Sequence, residues 1–182
     1  MNILCATGLA VASGSPSEIV FEHLKDLRPI TGRLEFCGKN SNGAKIYVDY
    51  AHTPDALTAA LFSLRELTEN EIILVFGCGG NRDSIKRVIM GEIAENFSDK
   101  IIITDDNPRD ENPKKIREAI LKGCPSAIEI SDRHEAISKA VSMGKKGDSI
   151  IIAGKGHEKI QIIGKNEIPF SDQETVRNII GN

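Results

Sequence analysis

Residues 105–110 read Asp-Asp-Asn-Pro-Arg-Asp, three acids, an amide and an arginine gathered around one proline. Asp, Asn and Pro are common turn formers, so one reading is an ordinary tight turn. The chemical reading is a recognition loop. A guanidinium offers forked donors to a carboxylate, and carboxylates accept from ammonium groups. Three more loops carry groups of the same kinds. GCGGNRD at 77–83 sets Arg82 among glycines, DYAHTPD at 49–55 holds Asp49 and His52, and GKGHEK at 154–159 places Lys155, His157 and Glu158 around glycines. Each also has a structural reading: a turn needing positive φ, a histidine beside a helix cap, a glycine-permitted turn into the next strand. None of the glycine runs matches GxGxxG or GxxxxGK[ST], and no Ser or Thr follows Lys155 to hold magnesium. Asp49, at a strand end, is a candidate for a ribose hydroxyl. Arg82 and Arg109 together with Asp106 and Glu158 form a set complementary to a zwitterion with several carboxylates and ammonium groups. Such a set suits an amino acid better than a nucleotide.

The set requires elements that bring four loops to one edge. From Lys45 onward the sequence supplies them. KIYVD, EIILVF, KIIIT, SAIEI and SIIIA read as strands. Helices are predicted from Thr53-Pro54 with Leu57, Leu61 and Leu64 on one face, over 85–97, over 113–121, and over 133–143 capped by Asp132. IQIIG reads as a further strand returning through a short connection, and Ser171 with Glu174 forms a capping box for a last helix. Strands that are apolar throughout and alternate with helices predict a Rossmann-like α/β fold. Its sheet has about six mainly parallel strands, with helices on both faces. Ligands bind such sheets at the carboxyl ends of the strands, where all four loops fall. Ahead of this, RLEFCGKNSNGAKIYVDY alternates around a hairpin signal. Residues 1–31 do not fit the scheme: a helix over 2–12 and a second from the SPSE capping box to about Leu27 read as the tail of a preceding unit.

Composition excludes several classes. The chain has 182 residues, 40% hydrophobic and 27% charged, with a net charge of −3 and no basic stripe interleaved with aromatics, so nucleic acid is not an expected partner. No apolar run is long enough to span a membrane. The four cysteines stand at 5, 37, 78 and 124, without metal-ligand spacing or a disulfide pattern. A reduced, cytoplasmic protein is expected.

The motifs VDYAHTPDAL, GCGGNRD followed by KR and MG, TDDNPR, DR with AI, and AGKGHE with Gln161 resemble, in order, the C-terminal domain of the Mur ligases. TGRLE resembles the linker opening that domain, and residues 1–31 resemble the last helices of the family's central ATPase domain. The resemblance implies domains at 1–31 and 32–182. It also implies an ATP-dependent ligase of peptidoglycan precursor synthesis that acts through an acyl phosphate. The DNPR motif resembles that of members adding meso-diaminopimelate to UDP-MurNAc-L-Ala-D-Glu. The same matching implies that Arg82, Asp106, Asn107, Pro108, Arg109, Gly154 and Glu158 hold the amino acid. Arg33, Asp49 and His52 match positions on the nucleotide side. ATP and Mg2+ are implied as cofactors of the whole ligase, their phosphate and metal sites lying in a central domain. No GK[ST] loop stands in this sequence, so the chain itself is expected to bind the amino acid without catalysis. Asn81, Ser84-Ile85, Val88 and Ile160 depart from the family's usual residues. Two other readings stay open: a free-standing Rossmann-like binding module, and a related ligase adding another amino acid.

Overall fold

The computed structural model describes residues 2–181. The chain divides between Ile30 and Thr31 into two compact units. In the first, α1 (Asn2–Ala12) is followed by α2 (Ser17–His23) and a 3-10 turn (Leu24–Asp26). The predicted SPSE capping box does not form. Pro16 takes the N-cap position with extended backbone (ψ 131°), so the helix starts after it, and no side chain caps it. Ile3, Leu4, Leu9, Ile19, Phe21 and Leu27 of this unit are more than half exposed.

The second unit holds the sheet. Its elements are β1 (Glu35–Lys39), β2 (Lys45–Asp49), α3 (Pro54–Arg65), β3 (Ile72–Phe76), α4 (Ile85–Phe97), β4 (Lys100–Ile103), α5 (Pro113–Leu121), β5 (Ile128–Glu129), α6 (Arg133–Met143), β6 (Ser149–Ala153), β7 (Ile160–Ile163), β8 (Asn166–Pro169) and α7 (Asp172–Ile180). The six-stranded sheet runs β1-β2-β6-β3-β4-β5. All neighbours are parallel except the β1–β2 hairpin at the edge. β7 pairs with β8 in a separate antiparallel ribbon, and its Ile163 forms an isolated parallel bridge to Arg109. The SAIEI strand shrinks to two exposed residues, because β5 is the far edge and lacks a covering neighbour.

Alternating strand side chains feed two cores. On one face Leu57, Leu61 and Leu64 of α3, Met90 and Ala94 of α4, and Ile116 and Ile120 of α5 meet Ile72, Leu74, Phe76 and Ile151. On the other, Ala136, Ile137, Ala140 and Val141 of α6 and Val176 of α7 meet Ile73, Val75, Ile150 and Ile152. Each fully buried aliphatic side chain contributes about 1.5–3 kcal/mol. This double covering fixes the strand ends, and hence the loops that follow them. The caps act locally: Thr53 accepts from Ala56 N, Asn112 from Lys114 N, Asp132 from Glu135 N, and Ser171 from Glu174 N.

Candidate functional site

The loops after β2, β3, β4 and β6 enclose a cavity of about 560 Å³ at the carboxyl ends of the strands. Tyr50 and His52 line it from the first loop, Gly77, Gly79 and Arg82 from the second, Asp106, Asn107 and Arg109 from the third, and Gly154 and Glu158 from the fourth. The two arginines and two acids read from the sequence therefore face one space. Pro108 is buried behind the wall, its carbonyl accepting from Glu111 N at 3.1 Å.

The third loop is held from both sides. Arg109 adopts φ +50°, uncommon for a residue with a Cβ. Its N–H donates to Ile162 O (3.0 Å) and its carbonyl accepts from Gly164 N (2.8 Å), hooking it to the β7–β8 ribbon. Arg109 Nη1 donates to Gly80 O at 3.0 Å and to Asn107 O at 3.3 Å. The guanidinium is thus aimed before any ligand arrives, leaving Nη2 and Nε as its remaining donors. Glycine is required opposite at 80, where a Cβ would collide with the Pro108 carbonyl; a Cβ on Gly79 would stand 2.9 Å from Arg109 Nη1 and displace the guanidinium.

Those same contacts bear on phosphate binding. Gly80 N donates to Asn107 O at 2.9 Å, and Asn81 N donates to the Glu111 carboxylate. Two amides of the glycine-rich loop are spent inside the protein, so this loop does not fit a triphosphate cradle. Glu111 also pairs with Arg87 at 2.9 Å. The Asn81 N–H and the Arg87 guanidinium together hold the Glu111 carboxyl below its usual range.

The acids have different neighbours. Asp106 Oδ1 accepts from its neighbour Asn107 N at 2.7 Å, and Gln161 donates to the Asp106 carbonyl at 2.8 Å. A Cβ on Gly154 would lie 2.7 Å from Asp106 Oδ2, which is why glycine stands there with φ +113°. Asp105, its neighbour in sequence, turns away and pairs with Arg117. Burial pushes the Asp105 carboxyl up against the pull of that arginine.

The residues matched to a nucleotide side lie apart from this cluster, His52 excepted. Asp49 is buried, its Oδ1 accepting from Ala51 N (2.7 Å) and its Oδ2 from Leu34 N (2.6 Å). Arg33 is exposed, with its guanidinium carbon 4.7 Å from the Tyr50 ring centre. His52 is exposed at the cavity rim, and its carbonyl accepts from Lys86 Nζ at 2.7 Å.

Three participants stood in the quoted motifs but were given no site role by the sequence alone. Lys155 is fully buried behind Asn107 and Glu158, an i,i+3 partner of the latter that the spacing could have suggested. Tyr50 packs at a tilt against His52 of its own loop (4.5 Å between ring centres) and His157 of the fourth loop (5.1 Å). Arg133 is buried in a two-point pair with Asp172 at 2.8 Å, and also donates to Ala153 O at 3.0 Å. It braces the end of β6 just before the fourth loop; the DR motif contains it, but nothing local announces its buried partner Asp172.

Residues 32–156 match the family described as "Mur ligase, glutamate ligase domain". The chain is 52% identical over 179 residues to the UDP-N-acetylmuramoyl-L-alanyl-D-glutamate–2,6-diaminopimelate ligase of Chelativorans sp. (strain BNC1), and 51% identical over 179 residues to the ligase of that name from Agrobacterium fabrum. In both cases 98% of this chain is covered, and the chain spans about 37% of the relative's length. A solved structure of a ligase with the same name superposes with a TM-score of 0.78 at 35% identity, covering 99% of this chain and 37% of that one. A UDP-N-acetylmuramate-alanine ligase from Thermotoga maritima shares the fold at 19% identity, with a TM-score of 0.68 over 99% of this chain and 36% of that one. The fold is that of an α/β domain with a cavity at the carboxyl ends of its parallel strands. The chain belongs to the Mur ligase family through its glutamate ligase domain.

Proposed function

We propose that this chain is the amino-acid-binding part of an ATP-dependent ligase that adds meso-diaminopimelate to UDP-MurNAc-L-Ala-D-Glu in peptidoglycan precursor synthesis, in the cytoplasm. The observation carrying the reading is the convergence of Arg82, Asp106, Asn107, Arg109, Gly154 and Glu158 on one cavity. Meso-diaminopimelate has two carboxylates and two ammonium groups, and the cavity offers two guanidiniums and two carboxylates. Pro108 serves by fixing the backbone ahead of Arg109. The names of the relatives support the same substrate. On this reading residues 32–182 form the amino-acid-binding domain and residues 1–31 end a preceding domain. Arg33, Asp49 and His52 lie on the nucleotide side. The ATP phosphates and Mg2+ are assigned to the part of the ligase beyond this chain, since two amides of the glycine loop here are occupied by protein acceptors.

The test is phosphate release by the full-length ligase with UDP-MurNAc-L-Ala-D-Glu, MgATP and a panel of meso-diaminopimelate, L-lysine and L-ornithine. We expect meso-diaminopimelate to lead in kcat/KM by at least about 30-fold, because the other two leave an arginine without its carboxylate. Equal or better use of a monocarboxylate overturns the proposal.

A further inference from the structure

Lys155 has no exposed surface and does not line the cavity. It stands behind two residues that do. Its Nζ donates to Asn107 Oδ1 at 2.8 Å and to Glu158 Oε2 at 3.3 Å. Asn107 Oδ1 also accepts from Ile162 N at 3.0 Å, while Asn107 Nδ2 donates to Glu158 Oε2 at 2.9 Å. The three side chains therefore close a triangle of hydrogen bonds.

The triangle has only one consistent arrangement. Lys155 and the Ile162 amide are both obligate donors, so the Asn107 oxygen must face them. A flipped amide would set N–H against N–H twice. With the oxygen fixed, Nδ2 carries two protons, of which one goes to Glu158. Glu158 Oε2 receives two donors, which leaves Oε1 without a protein partner among the described residues. Burying an ammonium costs several kcal/mol before its hydrogen bonds are counted, and an apolar side chain of similar length would fill the same space without that cost. Burial pushes the Lys155 ammonium below its usual range, opposed by Asp106 and Glu158 and aided by nearby Arg133.

We infer that Lys155 is a positioning residue for amino-acid recognition: its ammonium locks the Asn107 amide and the Glu158 carboxylate so that together they present one N–H donor and one carboxylate oxygen to the cavity. This rests on the amino-acid-binding reading above. The residue touches no ligand and acts entirely through its two partners.

The test uses the full-length ligase with Lys155→Met, Glu158→Gln and the two combined. The KM for meso-diaminopimelate should rise roughly 10- to 100-fold in Lys155→Met, the effect of one charge-assisted hydrogen bond, while the KM for ATP stays within about twofold. Adding Lys155→Met to Glu158→Gln should raise the KM by a smaller factor than adding it to wild type, because part of the lysine's effect runs through that carboxylate and the rest through Asn107. A lysine that merely supports folding would lower Tm and the active fraction, hence kcat, and leave the amino-acid KM unchanged; that result overturns the inference. Should Lys155→Met prove insoluble, the wild-type protein labelled with 15N-lysine decides. The buried Nζ resonance should shift on adding meso-diaminopimelate, and an unmoved resonance at saturation overturns the inference. If wild type prefers a different amino acid, the same KM comparison is made with that one. A rise there keeps Lys155 in its role and removes only diaminopimelate. An unchanged KM in an enzyme that does prefer diaminopimelate removes only the role of Lys155.

Discussion

Replacing Arg109 by alanine tests the far end of the proposed ligand. Meso-diaminopimelate differs from lysine by one carboxylate, and we assign that carboxylate to Arg109. Nη1 already serves Gly80 O and Asn107 O, so the ligand receives the remaining edge of a guanidinium that is held in place beforehand. Alanine removes that edge and leaves a carboxylate partly desolvated without a partner. The cost is on the order of 2–4 kcal/mol, or roughly 30- to 1,000-fold in kcat/KM. The left-handed backbone at this position adds nothing to the difference, because arginine and alanine both carry a Cβ. Lysine is a poor substitute, since its ammonium cannot supply the planar fork of parallel N–H donors that matches a carboxylate. Use of L-lysine should not rise in proportion, because Asp106 and Glu158 stay set for the original ligand. The assay is kcat/KM for both amino acids in the full-length ligase before and after substitution. If the variant keeps its diaminopimelate preference within about threefold, or roughly 0.7 kcal/mol, specificity lies elsewhere and the assignment of Arg109 is wrong.

Gly80→Ala should destabilise the protein by roughly 1–3 kcal/mol and raise the amino-acid KM, since the new methyl meets the Pro108 carbonyl and pushes the second and third loops apart; urea unfolding and steady-state kinetics check both. Arg133→Met should cost about 3–5 kcal/mol by stranding the buried Asp172 carboxylate, and adding Asp172→Leu should recover part of that loss in the same unfolding assay. Glu111 has its carboxyl lowered in the folded state by Asn81 N and Arg87, so the unfolded chain binds its proton first. The stability it contributes is present above the ordinary carboxylate pKa and is lost as pH falls through the folded value. Stability measured from pH 7 down to pH 3 should therefore fall less steeply in Glu111→Gln than in wild type.

Most of the frame was legible in the sequence because it rests on local signals. The helices at 85–97, 113–121 and 133–143 fall where periodicity and caps put them, and the five-residue strand Ser149–Ala153 was visible as a continuous apolar run. The errors share a cause. SPSE carries the letters of a capping box, but Pro16 is extended rather than helical and the Ser15 side chain makes no cap. SAIEI has the composition of a strand, yet it sits at an edge where only two residues find a partner. In the site, side-chain chemistry pointed to Arg82, Asp106, Arg109 and Glu158, because carboxylate and guanidinium groups advertise their use. Lys155 and the Arg133–Asp172 pair were not visible in that way. Their importance comes from burial, and burial is a property of the folded neighbours.

The backbone of the 105–110 loop carries the same lesson one level down. Among the described residues, the non-glycine positions with positive φ are Leu34, Asn81 and Arg109, and each lies on a loop at or beside the strand ends that hold the site. Asn81 tolerates the left-handed region comparatively well. Leu34 and Arg109 do not, and such residues persist only where surrounding structure over-determines them. At Leu34 the constraint is its N–H on the Asp49 carboxylate. At Arg109 it is the pair of backbone hydrogen bonds to Ile162 and Gly164, reinforced by the Gly80 carbonyl on the guanidinium. A glycine at 109 would relax the backbone and discard the donor. A looser loop with arginine elsewhere would keep the donor and lose its aim. The strain is thus the consequence of asking one residue both to turn the chain and to present a fixed fork. That is why the β7–β8 ribbon, which contributes little to the sheet, is placed where it clamps Arg109.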